Sequence, residues 1–216
     1  MKHFLIVSGG DIDDAFACRM IEKEQPDVVI AADKGMDFFY RNQKIPAYII
    51  GDFDSAERES LTFFRTQSKV QIRELCPIKD DTDTESAIRF ALEQGATQIT
   101  LLGATGSRLD HVLGNIELLG IGLKAGVPIT MLDAKNRIRM IDKGITIKKS
   151  EQYGTYVSLL PYTECVECVT LKGFKYSLHE ETLRGFCSLG VSNEIAEEKA
   201  EITFDGGILL VIESRD

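Results

Sequence analysis

The chain reads as an α/β protein with an all-β tail, an amino-terminal domain on a mainly parallel sheet flanked by helices and then a smaller β-sandwich. Two observations predict this. Up to residue 133 short apolar runs alternate with amphipathic stretches, a rhythm that builds parallel strands joined by crossover helices. From about residue 136 helical periodicity largely stops, and short strand-like runs succeed one another. The joint falls near residues 133–144, giving a Rossmann-like domain over 1–135 and a β-sandwich over 136–216.

In the first domain the strands are "HFLIVS" (3–8), "DVVIAA" (27–32), "AYIIG" (47–51), "VQIREL" (70–75), "QITLLG" (98–103) and "PITMLD" (128–133). The clearest helices are 83–94, closed by Gly95, and 108–124, closed by Gly126 and Pro128, since glycine ends helices readily and proline cannot continue them. In the second domain "RIRMID", "GITIKK", "TYVSLLP", "CVTLKG", "AEITFD" and "ILLVIES" read as strands, with "DGG" at 205–207 as a hairpin signal.

Composition narrows the function. With 216 residues, 44% hydrophobic and 27% charged, the chain can bury a good core. A net charge of -9 and no basic stripe argue against a nucleic-acid partner. No apolar run reaches the about 18 residues of a membrane span, and the start "MKHFLIVSGGDIDD" lacks the pattern of a signal peptide. The five cysteines then read as reduced thiols of a cytoplasmic protein. Cys165 and Cys168 form a "CVEC", but they lie in a strand where positions three apart face opposite ways, and no second pair completes a zinc site.

The acids carry the functional argument. In an open α/β sheet, ligands bind beyond the carboxyl ends of the strands. Those ends carry Asp11 and Asp13, then Asp33, then Asp52 and Asp54 of "GDFDS", then the run "KDDTDTESA" with Asp80, Asp81, Asp83 and Glu85, then Asp110. Acids favour a helix start, so the run taken alone fits a solvated helix start or a divalent-metal site equally. Crowding has a cost, about 4 kcal/mol for a pair about 4 Å apart at an effective dielectric of about 20. Acids gathered on one edge fit Mg²⁺, which takes octahedral oxygen ligands and is usually shared with phosphates. "LLGATGSRLDHVLGN" (101–115) runs a strand through a glycine turn into a helix, a shape whose N–H groups can meet phosphate. It is neither a Walker A loop nor a dinucleotide fingerprint. Arg108 either clamps phosphate as the lone cation of an acidic rim or makes a surface pair with Asp110.

Taken in order, "AADKGMDFFY", "GDFDS", "KDDTDTESA", "GATGSRLDHVLGN", "GFKYSL" and "GVSNE" resemble the thiamine pyrophosphokinases along nearly the whole chain. The resemblance implies an α/β catalytic domain, a β-sandwich that helps bind thiamine, and a homodimer with sites between subunits. It implies transfer of the terminal diphosphate of ATP to thiamine with Mg²⁺, releasing AMP. Carried over by position, Asp52, Asp54, Asp80 and Asp83 are the metal-facing and catalytic acids. Asp33, Thr82, Arg108, Asp110 and His111 are the nucleotide and phosphate contacts, Arg108 and Asp110 also serving catalysis. Tyr176, Ser192 and Asn193 take the thiamine side. Ser107 stands where the family often has a second glycine, so the phosphate turn departs in detail. A metal-dependent phosphohydrolase and a non-enzymatic nucleotide sensor are the rival readings.

Overall fold

The computed structural model describes residues 1–54, 56–76, 81–106 and 108–216, and divides into two compact units, Met1–Ala134 and Lys135–Asp216. In the first unit the strands are β1 (His3–Val7), β2 (Val28–Ala32), β3 (Tyr48–Gly51), β4 (Gln71–Glu74), β5 (Gln98–Leu102) and β6 (Ile129–Leu132). They lie in the order β6-β5-β1-β2-β3-β4, with parallel pairing throughout. The central strands are buried almost end to end, Phe4, Leu5, Ile6 and Val7 in β1 and Ile99 to Leu102 in β5. Only a sheet covered on both faces demands such runs.

The helices are α1 (Asp14–Glu24), α2 (Gly35–Arg41), α3 (Arg58–Arg65), α4 (Asp83–Glu93) and α5 (Leu109–Ala125). From β1 to β4 each crossover steps one way along the sheet, whereas β4 to β5 to β6 steps back the other way. Right-handed crossovers therefore put α1, α2 and α3 on one face and α4 and α5 on the other. The direction reverses between β1 and β5, and in an open α/β sheet the ligand crevice lies beyond the carboxyl ends of the strands at such a reversal.

Local chemistry fixes the helix starts. The Asp13 carboxylate accepts a hydrogen bond from the Phe16 N–H at 2.9 Å, so this acid caps α1. The Thr82 hydroxyl accepts from the Glu85 N–H at 3.2 Å and caps α4. Gly126, at φ 67°, ends α5, as its position predicts.

The second unit is antiparallel. Its strands are β7 (Asn136–Ile141), β8 (Ile145–Lys148), β9 (Tyr156–Pro161), β10 (Cys165–Lys172), β11 (Leu178–Arg184), β12 (Asn193–Glu194), β13 (Lys199–Thr203) and β14 (Leu209–Ser214). Within it β12-β9-β14-β7 are successive neighbours, and a separate four-stranded sheet runs β11-β10-β13-β8. Val157, Leu159 and Val211 of the first group share one apolar cluster with Val169, Leu171 and Ile202 of the second. The "DGG" segment is not a hairpin. It connects β13 to β14, which belong to different sheets. β11, "LHEETLR", carries too few apolar residues for alternation to reveal it. A bulge in β10, with Cys168 at φ 54°, leaves Cys168 exposed and Cys165 half-buried.

Candidate active site

The crevice opens into a cavity of about 580 Å³, within the range of small-molecule sites. Its wall comes from the ends of β1, β2 and β5 and the starts of α4 and α5. The two loops at the reversal are fastened together, with the Gly10 N–H donating to the Gly103 carbonyl at 2.8 Å. Beneath them the buried Thr84 hydroxyl donates to the Ser8 hydroxyl at 3.0 Å, which ties α4 to β1.

Three carboxylates converge here. Oxygens of Asp33, Asp52 and Asp83 all lie within 4.8 Å of one another, and each side chain is half-buried. The backbone explains the meeting. A Cβ on Gly51 would stand 2.9 Å from the Asp33 Cα, so only glycine lets the end of β3 pass so close to the end of β2. Asp33 itself sits at φ 45°, a conformation that Asp tolerates better than most residues. Asp52 accepts a hydrogen bond from the Asp54 N–H at 3.2 Å, which turns the chain sharply at the strand end. Asp83 is the first residue of α4.

These are hard oxygen donors. Around a Mg²⁺ octahedron neighbouring oxygens stand about 3.0 Å apart and opposite ones about 4.2 Å, so a closing movement of no more than about 2 Å brings all three onto one small divalent cation. The donor set fits.

The expected acids divide. Asp52 and Asp83 join the cluster, and so does Asp33, which was expected among the nucleotide contacts. Asp54 is exposed and is not part of it. Asp80, like Ser107, lies outside the described residues. In the same run Asp81 and Glu85 are drawn to Arg89, at 3.7 and 2.6 Å. Much of the crowding of "KDDTDTESA" is thus relieved by a cation one turn along the helix.

Arg108 and Asp110 form the surface pair of the second alternative. The guanidinium grips the carboxylate at 3.2 and 2.6 Å, and the two side chains are 69% and 65% exposed. The Arg108 hydrogen bond, outweighing the small desolvation that acts against it, holds Asp110 down at about 2, and Asp110 in turn raises Arg108. Both groups, with the exposed His111, border the cavity. Arg108 is not the lone cation of the rim, because Lys34 borders it too. The signal was present in the sequence: Lys34 follows Asp33 at a strand end, where cations belong to the wall as much as acids do. Asn115 was also missed. Its amide donates to the Ala104 carbonyl at 2.8 Å and steadies the glycine turn.

In the second unit Tyr176 is 60% exposed. Asn193 is buried, and its side chain is committed to main chain. It accepts from the Tyr176 N–H at 3.0 Å and the Glu194 N–H at 2.9 Å, and donates to the Tyr176 carbonyl at 2.7 Å. Asn193 therefore sets the segment that presents Tyr176. Ser192, at φ 59°, is exposed, and its N–H is held by the Ser158 hydroxyl at 3.0 Å.

Comparison with known proteins adds independent findings. The family model described as "Thiamin pyrophosphokinase, catalytic domain" matches residues 21–131, and "Thiamin pyrophosphokinase, vitamin B1 binding domain" matches 144–209. The thiamine pyrophosphokinase of Bacillus subtilis (strain 168) is 34% identical over 188 residues, 87% of each chain. Thiamine pyrophosphokinase 2 of Oryza sativa subsp. japonica is 28% identical, covering 82% of this chain and 68% of its own. Among solved structures, the Bacillus subtilis thiamine pyrophosphokinase superposes with a TM-score of 0.87 at 32% identity over 100% of both chains. That of Geobacillus thermodenitrificans gives 0.84 at 31%, covering 99% of this chain and 98% of its own.

Proposed function

Because the chain belongs to the thiamine pyrophosphokinase family, we propose that the carboxylate crevice of its amino-terminal unit is where ATP meets the metal and gives up its terminal diphosphate to thiamine. The products are thiamine diphosphate and AMP. The carrying observation is the convergence of Asp33, Asp52 and Asp83 within 4.8 Å of one another, at the carboxyl ends of β2 and β3 and the start of α4.

Asp33, Asp52 and Asp83 would hold Mg²⁺. When bound, the ion supplies the positive charge that lets an anionic donor enter an acidic site and polarises the phosphorus under attack. The chain's own residues bind and orient. The glycine turn before α5 offers backbone N–H groups to phosphate. Arg108 exchanges the Asp110 carboxylate for phosphate oxygens, a trade of like for like because both accept its planar fork. Asp110, released, and His111 offer polar groups to the nucleotide. Thr82 holds the start of α4 and with it the Asp83 carboxylate. The thiamine hydroxyl attacks in line, since no single side chain stands out as a covalent nucleophile.

The carboxy-terminal unit acts as a β-sandwich for thiamine recognition. Tyr176 presents an aromatic face to the cationic thiazolium ring, Asn193 positions that face, and Ser192 stands beside them in chain order. The working assembly is a homodimer with sites between subunits, supported by the family resemblance. A cytoplasmic location is supported by five cysteines that form no disulfide; among the described residues no helix is long and apolar enough to cross a membrane.

Incubation with ATP, Mg²⁺ and thiamine, followed by mass spectrometry, tests the reading. AMP formed in step with thiamine diphosphate is expected. Inorganic phosphate would instead support a phosphohydrolase, and binding without turnover a sensor.

A further inference from the structure

We infer that Lys34 is the residue that first engages the phosphate chain of ATP, an inference that rests on the crevice being the ATP site. The argument begins with charge. Among the described residues three lysine or arginine side chains, Lys34, Arg41 and Arg108, border the main cavity or its neighbour of about 360 Å³, and only Lys34 borders both. Arg108 is already held by Asp110 at 2.6 Å and Arg41 by Asp14 at 3.0 Å. Lys34 has no ion pair among the described residues. An incoming polyanion must break a pair to reach either arginine, whereas the Lys34 ammonium is available at once.

Place and shape agree. Lys34 directly follows Asp33 of the carboxylate cluster, so a phosphate sharing a cation with Asp33 comes within reach of its long stem. Gly9 flanks it on the β1 side, where an added Cβ would stand 3.1 Å from the Lys34 Cβ, and this leaves the side chain room toward the cavities. A structural role offers little competition. Lys34 stands at the cap position of α2 without a side-chain capping hydrogen bond, and it is exposed. A lysine serves such a site well, as a flexible point charge that can follow phosphate oxygens as they move.

The test uses the intact protein without thiamine. It measures binding of α,β-methylene-ATP, whose bridging carbon blocks release of AMP, and of AMP itself by calorimetry in Mg²⁺. K34M is expected to weaken the triphosphate analogue by about 10- to 100-fold, the loss of one charge-assisted contact, and AMP by no more than about twofold. K34R is expected to recover most of the loss. Wild-type binding of the analogue with K34M unchanged, or with AMP weakened as much as the triphosphate, overturns the assignment of Lys34 alone. Failure of the wild type to bind the analogue overturns the ATP reading of the crevice together with it.

Discussion

Replacing Asp52 by asparagine should make the metal-free protein more stable and the metal-loaded protein inactive. The oxygens of Asp33, Asp52 and Asp83 lie within 4.8 Å of one another. At that distance two unit charges repel by about 3.5 kcal/mol at an effective dielectric of about 20, and by about 0.9 kcal/mol in bulk water. Asp52 takes part in two such pairs, so removing its charge relieves about 7 kcal/mol on the first figure and about 2 kcal/mol on the second. Half-buried side chains at a crevice mouth lie nearer the water limit. The expected gain of about 2 kcal/mol raises the melting temperature in chelator and low salt by about 4–8 °C for a chain of this size. Asparagine is the cleanest probe because its carbonyl oxygen can still accept from the Asp54 N–H, the bond Asp52 makes at 3.2 Å. Added Mg²⁺ reverses the order. At a hundred times its dissociation constant a ligand stabilises by about 2.7 kcal/mol, which the wild type gains and Asp52→Asn largely loses. Thermal melts with and without Mg²⁺, paired with thiamine diphosphate formation, read both effects. A variant that melts no higher than wild type in chelator, or that gains equally from Mg²⁺, would refute the cluster as a cation site.

Three further outcomes are expected. The folded Asp110 carboxyl sits below its ordinary value, so its pair with Arg108 is complete above pH 3.8 and fades as pH falls toward about 2. An NMR titration should place the Asp110 midpoint near about 2 and return it toward 3.8 in Arg108→Gln, a variant that should also lose ATP use more than thiamine binding. Gly51→Ala drives a Cβ to 2.9 Å from the Asp33 backbone; it should cost about 1–3 kcal/mol in urea unfolding and weaken Mn²⁺ binding read by electron paramagnetic resonance. Asn193→Ala strips the main chain around Tyr176 of three hydrogen bonds and should raise the KM for thiamine while leaving that for ATP unchanged; a rise in the ATP value instead would detach Tyr176 from the thiamine side.

The strands of the first unit were legible because burial on both faces writes itself as unbroken apolar runs, and β1 "HFLIV" and β5 "QITLL" can be little else. The second unit was legible in its buried strands and not in its edges. β11 is an edge strand of its sheet, with Glu180 and Glu181 exposed, so no apolar alternation marks it. "DGG" misled for a related reason. A turn sequence reports a local reversal of the chain, and the same reversal serves a hairpin or a passage from one sheet to another. Which of the two occurs is decided by the partners of β13 and β14, which lie far away in sequence.

The site shows the same division between local and distant causes. That acids gather at strand ends follows from topology, and the sequence carries it. Which acids meet depends on backbone detail that only three dimensions supply. Asp54 and Asp52 are two residues apart, yet one is exposed while the other reaches the cluster, because the Asp52 side chain takes up the Asp54 N–H and turns the chain between them. Asp33, expected among the nucleotide contacts, is brought beside Asp52 by Gly51, 18 positions away in sequence. The run at 80–85 seemed to demand a metal for all its charge, yet Arg89 draws Asp81 and Glu85 to itself, and of the run's described acids Asp83 is the one that joins the carboxylate cluster. A divalent cation facing three carboxylates carries one negative charge in total with its ligands, so the site as a whole still repels ATP unless a further cation is at hand. That residual charge is the reason Lys34, which has no ion pair among the described residues, matters beside Asp33.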